Sequence, residues 1–325
     1  MSAMVQSLRG FLAAVLAGGV ALSTAGILYA RYQGIPNQAA LPLLAAFLVA
    51  FPFYLVPVFP RLREQIGGAR LPVYVTAVAL APYLTGCLDG AIAFHWEGLS
   101  RLLAMALVFG FWYRVIRSPS ILADLAFLAL IPLPLLTNYL EAIYTPVDAA
   151  LKKDLVVLGH VTLIEITIPV LMVARGVCTR YGFFPTRAEW TIGLRHYLYF
   201  AAVGFPLGLA LKAVHFTSPA PLWKVAATFL GFFWVIALSE EFFVRGVLQA
   251  WLEQWTRRAS LALVVTSVVF GAAHLFFRFF PNWRWALLAA VLGWCCGHAR
   301  NQSGGIRAGV VTHALVVATW RAFLV

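Results

Sequence analysis

The sequence predicts an all-α polytopic membrane protein with about eleven transmembrane helices, and three observations carry that reading. The chain of 325 residues is 62% hydrophobic with a mean hydropathy of +0.87. Only 11% of it is charged, against roughly 25% in soluble domains. The apolar residues also fall into blocks of about 20, the length that crosses roughly 30 Å of hydrocarbon at 1.5 Å per residue.

The first block, residues 11 to 30, follows Arg9. It exceeds the roughly 7 to 15 apolar residues of a secretory signal core, so it reads as an uncleaved helix despite the cleavage-like "STA" from Ser23 to Ala25. Blocks at 39 to 59, 71 to 94 and 101 to 116 come next. The block at 121 to 140 contains "LIPLPLL", whose prolines a bundle can tolerate when neighbouring helices re-satisfy the backbone. A block at 154 to 174 completes an N-terminal region, 1–184, to which the sequence assigns no role.

The longest charged interruption, "RGVCTRYGFFPTRAEWTIGLRHY" from Arg175 to Tyr197, separates this region from a C-terminal one, 185–325. Within it, "RAEWTIGLRHYL" reads as a short interfacial helix, with Trp190 and Tyr197 at the headgroups and Arg187 and Arg195 toward water. The remaining blocks are 195 to 213, 222 to 252, 259 to 278, 284 to 299 and 306 to 325.

The formal charge of +12 is spread through short loops between apolar blocks, the pattern that encodes membrane topology. One set of alternate loops holds Arg9, Arg61, Arg63, Arg70, Arg114, Arg117, Arg175, Arg180, Arg187, Arg195, Arg257, Arg258, Arg300 and Arg307, and the other set holds fewer cations. That bias places the N-terminus in the cytoplasm. No basic face interleaved with aromatics is read, so the expected partners are the lipid bilayer and not nucleic acid. Compact, Arg-rich loops suggest a bacterial plasma (inner) membrane. Cys87, Cys178, Cys295 and Cys296 form no CxxC pair or metal-ligand spacing and read as small apolar residues. No metal or cofactor is expected, and the oligomeric state stays open.

Charges inside the blocks are the functional signal, because each costs at least ~2.5 to 3.5 kcal/mol near a helix centre. "SEEFFVR", Ser239 to Arg245, places Glu240 and Glu241 about 16 residues after Lys224 and 17 before Arg257, ~24 Å of helix from either. Glu241 and Arg245 are four apart with Glu on the N-terminal side, the favourable order for an ion pair. Glu240, rotated about 100° away, is left for another partner. In a hairpin folded about residue 257, positions 240 and 274 each lie 17 residues from the turn, so His274 of the next block is level with Glu240. The last block brings His313 about two turns in from Arg307. For all three to meet, the hairpin must overhang by roughly 15 Å, which the 31-residue block from Leu222 to Leu252 is long enough to do.

"EEFFVRG" (Glu240 to Gly246), "FGAAH" (Phe270 to His274) and "HALVV" (His313 to Val317), in order on successive apolar segments, resemble the EExxxR, FxxxH and HxxxN motifs of the CAAX protease and bacteriocin-processing family. That family comprises glutamate-type intramembrane endopeptidases, including the Ras-converting CAAX proteases. The resemblance covers roughly 185 to 325, including "ARNQSGGIRAGVVTHA", and implies that the active-site helices form a C-terminal bundle. It implies that Glu240 is the general base assisted by His274, that Arg245 holds Glu241, and that His313 stabilises the oxyanion. Phe270 is expected to line the substrate site. The implied partner is a membrane-anchored protein or peptide whose C-terminal tail, leader or sorting signal is cut by Glu/His-activated water without a metal. The chemistry is coherent on its own terms, since a carboxylate withdrawn from water is a better base and a fixed imidazole donor can stabilise an oxyanion.

The chain departs from the family where an Asn usually follows the last His by four residues, since Val317 stands there and cannot donate a hydrogen bond. Either His313 acts alone, Asn301 or Thr312 substitutes, or catalysis is impaired. A second class therefore stays open: a non-catalytic scaffold, immunity or transport protein that keeps the same polar network. Two further polar pairs, His95 with Glu97 and His160 with Glu165, are weaker candidates for substrate contact.

Overall fold

The computed structural model describes residues 3–116, 120–177 and 179–324, so Arg117 and Cys178 lie outside the described residues. Among these, helices account for the architecture, with no strand beyond two isolated bridges. Seven helices among the described residues are long and apolar enough to cross a membrane: Ser7–Gln33, Asn37–Val58, Arg70–Leu88, Trp96–Val115, Ala149–Ala174, Leu222–Thr256 and Ala259–Phe276. The other four of the eleven expected blocks are helical but short, broken or too polar. The chain divides into two compact units, Met1–Gly176 and Val177–Val325.

In the first unit the block expected at 121 to 140 does not form one helix. It gives Ile121–Leu130, then short turns at Leu133–Leu136 and Tyr139–Ile143. Pro132 and Pro134 lack the N–H that would continue the ladder, and Asn138 takes φ +55° between the turns. Asp124 in this block is 1% exposed, and Arg175 neutralises it with a bidentate pair at 2.8 and 2.7 Å. His95 and Glu97 are not partners. The His95 Nδ1 accepts from the Gly98 N–H to cap Trp96–Val115, and Glu97 pairs with Arg101 at 2.6 Å. Nor are His160 and Glu165, since His160 is exposed and Glu165 is buried.

The second unit contains five helical segments. Arg187–Ala210 is one continuous helix of 24 residues, which corrects the reading of a separate interfacial helix. Its start is set by a reciprocal capping box: the Thr186 hydroxyl accepts from the Glu189 N–H, and the Glu189 carboxylate accepts from the Thr186 N–H. Trp190 stacks on Phe233 at 5.6 Å.

Leu222–Thr256 is one long helix that turns at Arg257, whose φ of +59° reverses the chain into Ala259–Phe276. This is the hairpin expected about residue 257. Trp283–Ser303 packs against both Ala259–Ala273 and Arg187–Ala210, and Arg307–Phe323 packs against Arg187–Ala210, Trp283–Ser303 and the Leu222 helix. Gly193 permits the close crossing of the first and last of these, since a Cβ there would sit 2.6 Å from Val311 Cβ and 2.7 Å from the Ala308 carbonyl.

Candidate active site

The long helix bearing the glutamates is not a regular α-helix. It widens to π-helix at Phe232–Ile236 and again at Phe242–Gln249, with the five α-helical residues Ala237–Glu241 between. Such π segments cost regular hydrogen-bond geometry and concentrate at functional sites. Sequence periodicity did not reveal them, because the apolar residues run on through both stretches.

Glu241 and Arg245 are both fully buried, with Arg245 Nε 3.4 Å from Glu241 Oε2. Arg245 also lies 4.5 Å above the Phe270 ring, a cation–π contact that helps to hold a guanidinium out of water. The other oxygen of Glu241 accepts a hydrogen bond from His313 Nδ1 at 3.0 Å. The far ring nitrogen, Nε2, stands 3.7 Å from Glu240 Oε2. His313 thus sits between the two glutamates. Because Nδ1 donates its N–H to a carboxylate, Nε2 can donate only when the ring is doubly protonated.

His274 ends the Ala259–Ala273 helix, and its Nδ1 donates to the Phe270 carbonyl at 2.8 Å. A carbonyl only accepts, so in the neutral ring the proton is on Nδ1 and Nε2 carries a lone pair. Glu240, His274 and His313 together line a cavity of ≈ 290 Å³, whose remaining wall is mostly apolar and includes Phe232, Ile236, Leu292 and Val317. The Glu240 side chain is 38% exposed, in contrast with its neighbour.

Phe270 was expected to line the substrate site. It is 4% exposed, is not among the residues that border the cavity, and packs in one buried cluster with Cys296 and with Phe200 and Leu292, which do border it. Its ring touches His274 at 4.8 Å, His313 at 5.7 Å and Arg245, so it wedges the polar residues apart. The two substitutes considered for the missing Asn are engaged elsewhere. Asn301 Oδ1 accepts from Gln249 and Arg300, and the Thr312 hydroxyl donates to the Gly193 and Ala308 carbonyls. Val317 borders the cavity, so the position itself faces the site.

Two residues outside the three motifs complete the setting. Gly309 lies one turn before His313, and a Cβ there would come within 2.9 Å of Glu241 Oε2. Cys296 donates to the Gly309 carbonyl at 3.5 Å. Glu241, Cys296 and His313 bring potential ligand atoms within 4.8 Å of one another, a donor set that would suit zinc. Arg245 already supplies the positive charge beside that carboxylate, and a divalent cation there would face the guanidinium at close range.

The three motifs that carry these side chains also carry a family likeness. Residues 221–319 match the family model described as type II CAAX prenyl endopeptidase Rce1-like. The matched stretch runs from the start of the glutamate helix to just past Val317, so it contains Glu240, His274 and His313, while Arg321, which also borders the cavity, lies just beyond it. It agrees with the resemblance read from the sequence, and the family is one of intramembrane proteases. With seven helices among the described residues long and apolar enough to cross a bilayer, the chain is an integral membrane protein. No curated protein and no solved structure matches the chain.

Proposed function

We propose that the C-terminal unit is a glutamate-type intramembrane endopeptidase that hydrolyses a peptide bond of a membrane-anchored substrate. The observation that carries this reading is the convergence of Glu240, His274 and His313 on one mostly apolar cavity. An apolar chamber with a few convergent polar groups is the form of a site that binds a hydrophobic substrate and acts on one bond of it.

Glu240, the half-exposed member of the pair, takes a proton from a water molecule, with the His274 Nε2 lone pair as the second acceptor that orients it. The hydroxide attacks the scissile carbonyl carbon. Charge developing on the carbonyl oxygen is met by His313 in its doubly protonated form, and Glu240 then passes its proton to the leaving amine. Glu241 does not need to touch the substrate. It fixes His313 through Nδ1, and Arg245 supports Glu241, the arrangement in which a base is oriented by a third group. The substrate can be a C-terminal tail, a leader or a sorting signal.

The test is cleavage of a membrane-anchored peptide library by the protein in liposomes, with products read by mass spectrometry. Glu240→Gln is expected to lower kcat by about 10²-fold or more, with unfolding unchanged because the side chain is partly exposed. Turnover at the wild-type rate would remove Glu240 from the base role. A non-catalytic scaffold is favoured by one feature, Val317 in the place of a hydrogen-bond donor, and predicts no cleavage by either protein while peptide binding is retained.

A further inference from the structure

The stretch "LFFRFFPNWRW", Leu275 to Trp285, joins the His274 helix to the next and is not used by the proposed chemistry. Phe276, Phe279, Phe280 and Trp283 are 65, 61, 63 and 53% exposed. This loop corrects the expectation that no basic segment interleaves with aromatics. Arg278 lies 5.6 Å from the Phe277 ring, 5.8 Å from Trp285 and 6.0 Å from Trp320, and Arg284 lies 5.6 Å from Trp283. Arg321, 4.9 Å from Trp320, itself borders the cavity with Phe277, Trp285 and Trp320.

The loop is clipped into shape. Asn282, 2% exposed, donates from its side chain to the Phe277 carbonyl at 2.9 Å, accepts from the Trp285 N–H at 3.3 Å, and donates its own N–H to the Leu275 carbonyl at 2.8 Å. Among the described residues no carboxylate pairs with the three arginines, and the one that shares the cavity with Arg321 is Glu240. None of them forms an ion pair among the described residues, and no Asp or Glu occurs between Glu189 and Glu240 or after Glu253. The neighbouring segment, which bonds through the Thr217 N–H to the Phe323 carbonyl and the Ala220 N–H to the Ala322 carbonyl, adds none.

We infer that this loop and Arg321 form a binding site for the phosphate of an anionic phospholipid at the mouth of the cavity. Guanidinium groups bind phosphate through paired hydrogen bonds. Exposed Phe and Trp beside them match the boundary between headgroups and acyl chains. A peptide carboxylate would satisfy the arginines equally well, but it leaves the four exposed aromatic rings without a reason. The inference rests on the membrane assignment and not on the peptidase reading.

The experiment uses the full chain in phosphatidylcholine bilayers doped with a photoactivatable phosphatidylglycerol or a photoactivatable phosphatidylcholine, and adducts are mapped by mass spectrometry. Phosphatidylglycerol is expected to label residues 275–285 and 320–324 preferentially. Labelling there should fall about fivefold for Arg278→Gln or Arg321→Gln and roughly 25-fold for both, at the usual gain per basic residue near an anionic surface. Arg278→Lys, which keeps the charge but not the paired hydrogen bonds, should keep more of it than Arg278→Gln, which separates lost charge from a misfolded loop, and Arg258→Gln on the opposite turn should change nothing. Glu240→Gln should label like the wild type, so loss of peptidase activity and loss of the lipid site are read apart. Equal labelling by both lipids, or an unchanged double variant, would overturn the inference. So would displacement of the label by a peptide with a free C-terminal carboxylate but not by its amide.

Discussion

Replacing Glu241 by Gln removes the charge that balances Arg245 while keeping nearly the same shape. Both side chains are fully buried, with 3.4 Å between Nε and Oε2. At that separation the attraction is about 5 kcal/mol with an effective dielectric constant of about 20. The guanidinium left behind has no other anion among the described residues, and its nitrogens have no hydrogen-bond acceptor there. Removing one partner of such a pair costs roughly 3 to 5 kcal/mol. Glu241→Gln is therefore expected to unfold at a midpoint roughly 5 to 20 °C lower, or to lose about 3 to 5 kcal/mol in reversible SDS titration followed by tryptophan emission. The double variant Glu241→Gln/Arg245→Met should recover most of that loss, because a buried ion pair exchanged for apolar groups of similar volume is often neutral. A single variant within 1 kcal/mol of the wild type, or a double variant worse than the single, would refute the assignment of Arg245 as the compensating charge.

Gly309→Ala places a methyl group 2.9 Å from Glu241 Oε2 and 3.2 Å from the Cys296 carbonyl. It should cost about 1 to 3 kcal/mol by overpacking and lower kcat about 10²-fold by tilting His313, which parallel unfolding and turnover assays separate. Val317→Asn restores a donor one turn beyond His313 and is expected to raise kcat, by up to about 10²-fold, without changing KM; a sharp loss would show that the position is needed for packing. Glu189 is tested by pH. Burial alone would raise its carboxyl, but the Thr186 hydrogen bonds and Arg307, which donates at 3.1 and 2.9 Å, hold it below the usual range. A depressed carboxyl stabilises the fold above the unfolded-state value of 4.5 and loses that contribution as pH falls through the lower folded value. The stability gap between wild type and Glu189→Gln should therefore be full at pH 7 and close in acid; a gap independent of pH would contradict the pairing.

The membrane class and the hairpin about residue 257 were legible because both follow from length and apolarity. The Glu241–Arg245 pair was legible as well, since a four-residue offset keeps one face in α-helix, and the wider π turn brings the same side chains together. The division at 121 to 140 was not, because Pro132 and Pro134 are tolerated in many spanning helices and only neighbouring structure decides. The continuous helix from Arg187 was missed although its signal was present: Thr186 and Glu189 have capping-box spacing. Depth counting levelled Glu240 with His274 but could not choose between imidazoles, and His313 is the one whose ring lies 3.7 Å from Glu240. Rotation about the helix axis decides that choice, and the two π stretches reset the rotation in a way that hydropathy does not record.

The α-helical turn between those π stretches explains how two adjacent glutamates can serve one histidine. Consecutive positions on a regular α-helix diverge by 100°, so Glu240 and Glu241 point to different neighbours, one toward the cavity and one into the core. His313 meets both because its two nitrogens lie on opposite edges of one ring, Nδ1 at Glu241 and Nε2 toward Glu240. The ring must then approach edge-on between the carboxylates, which requires the last helix to come close. Gly309, with no side chain to hold the helices apart at Glu241, permits that approach. The adjacency of the glutamates and the glycine one turn before the histidine are therefore parts of one geometric requirement. A bulkier residue at 309 should mimic the loss of Glu241 in activity while keeping the Glu241 charge itself, displaced at the oxygen that faces Arg245.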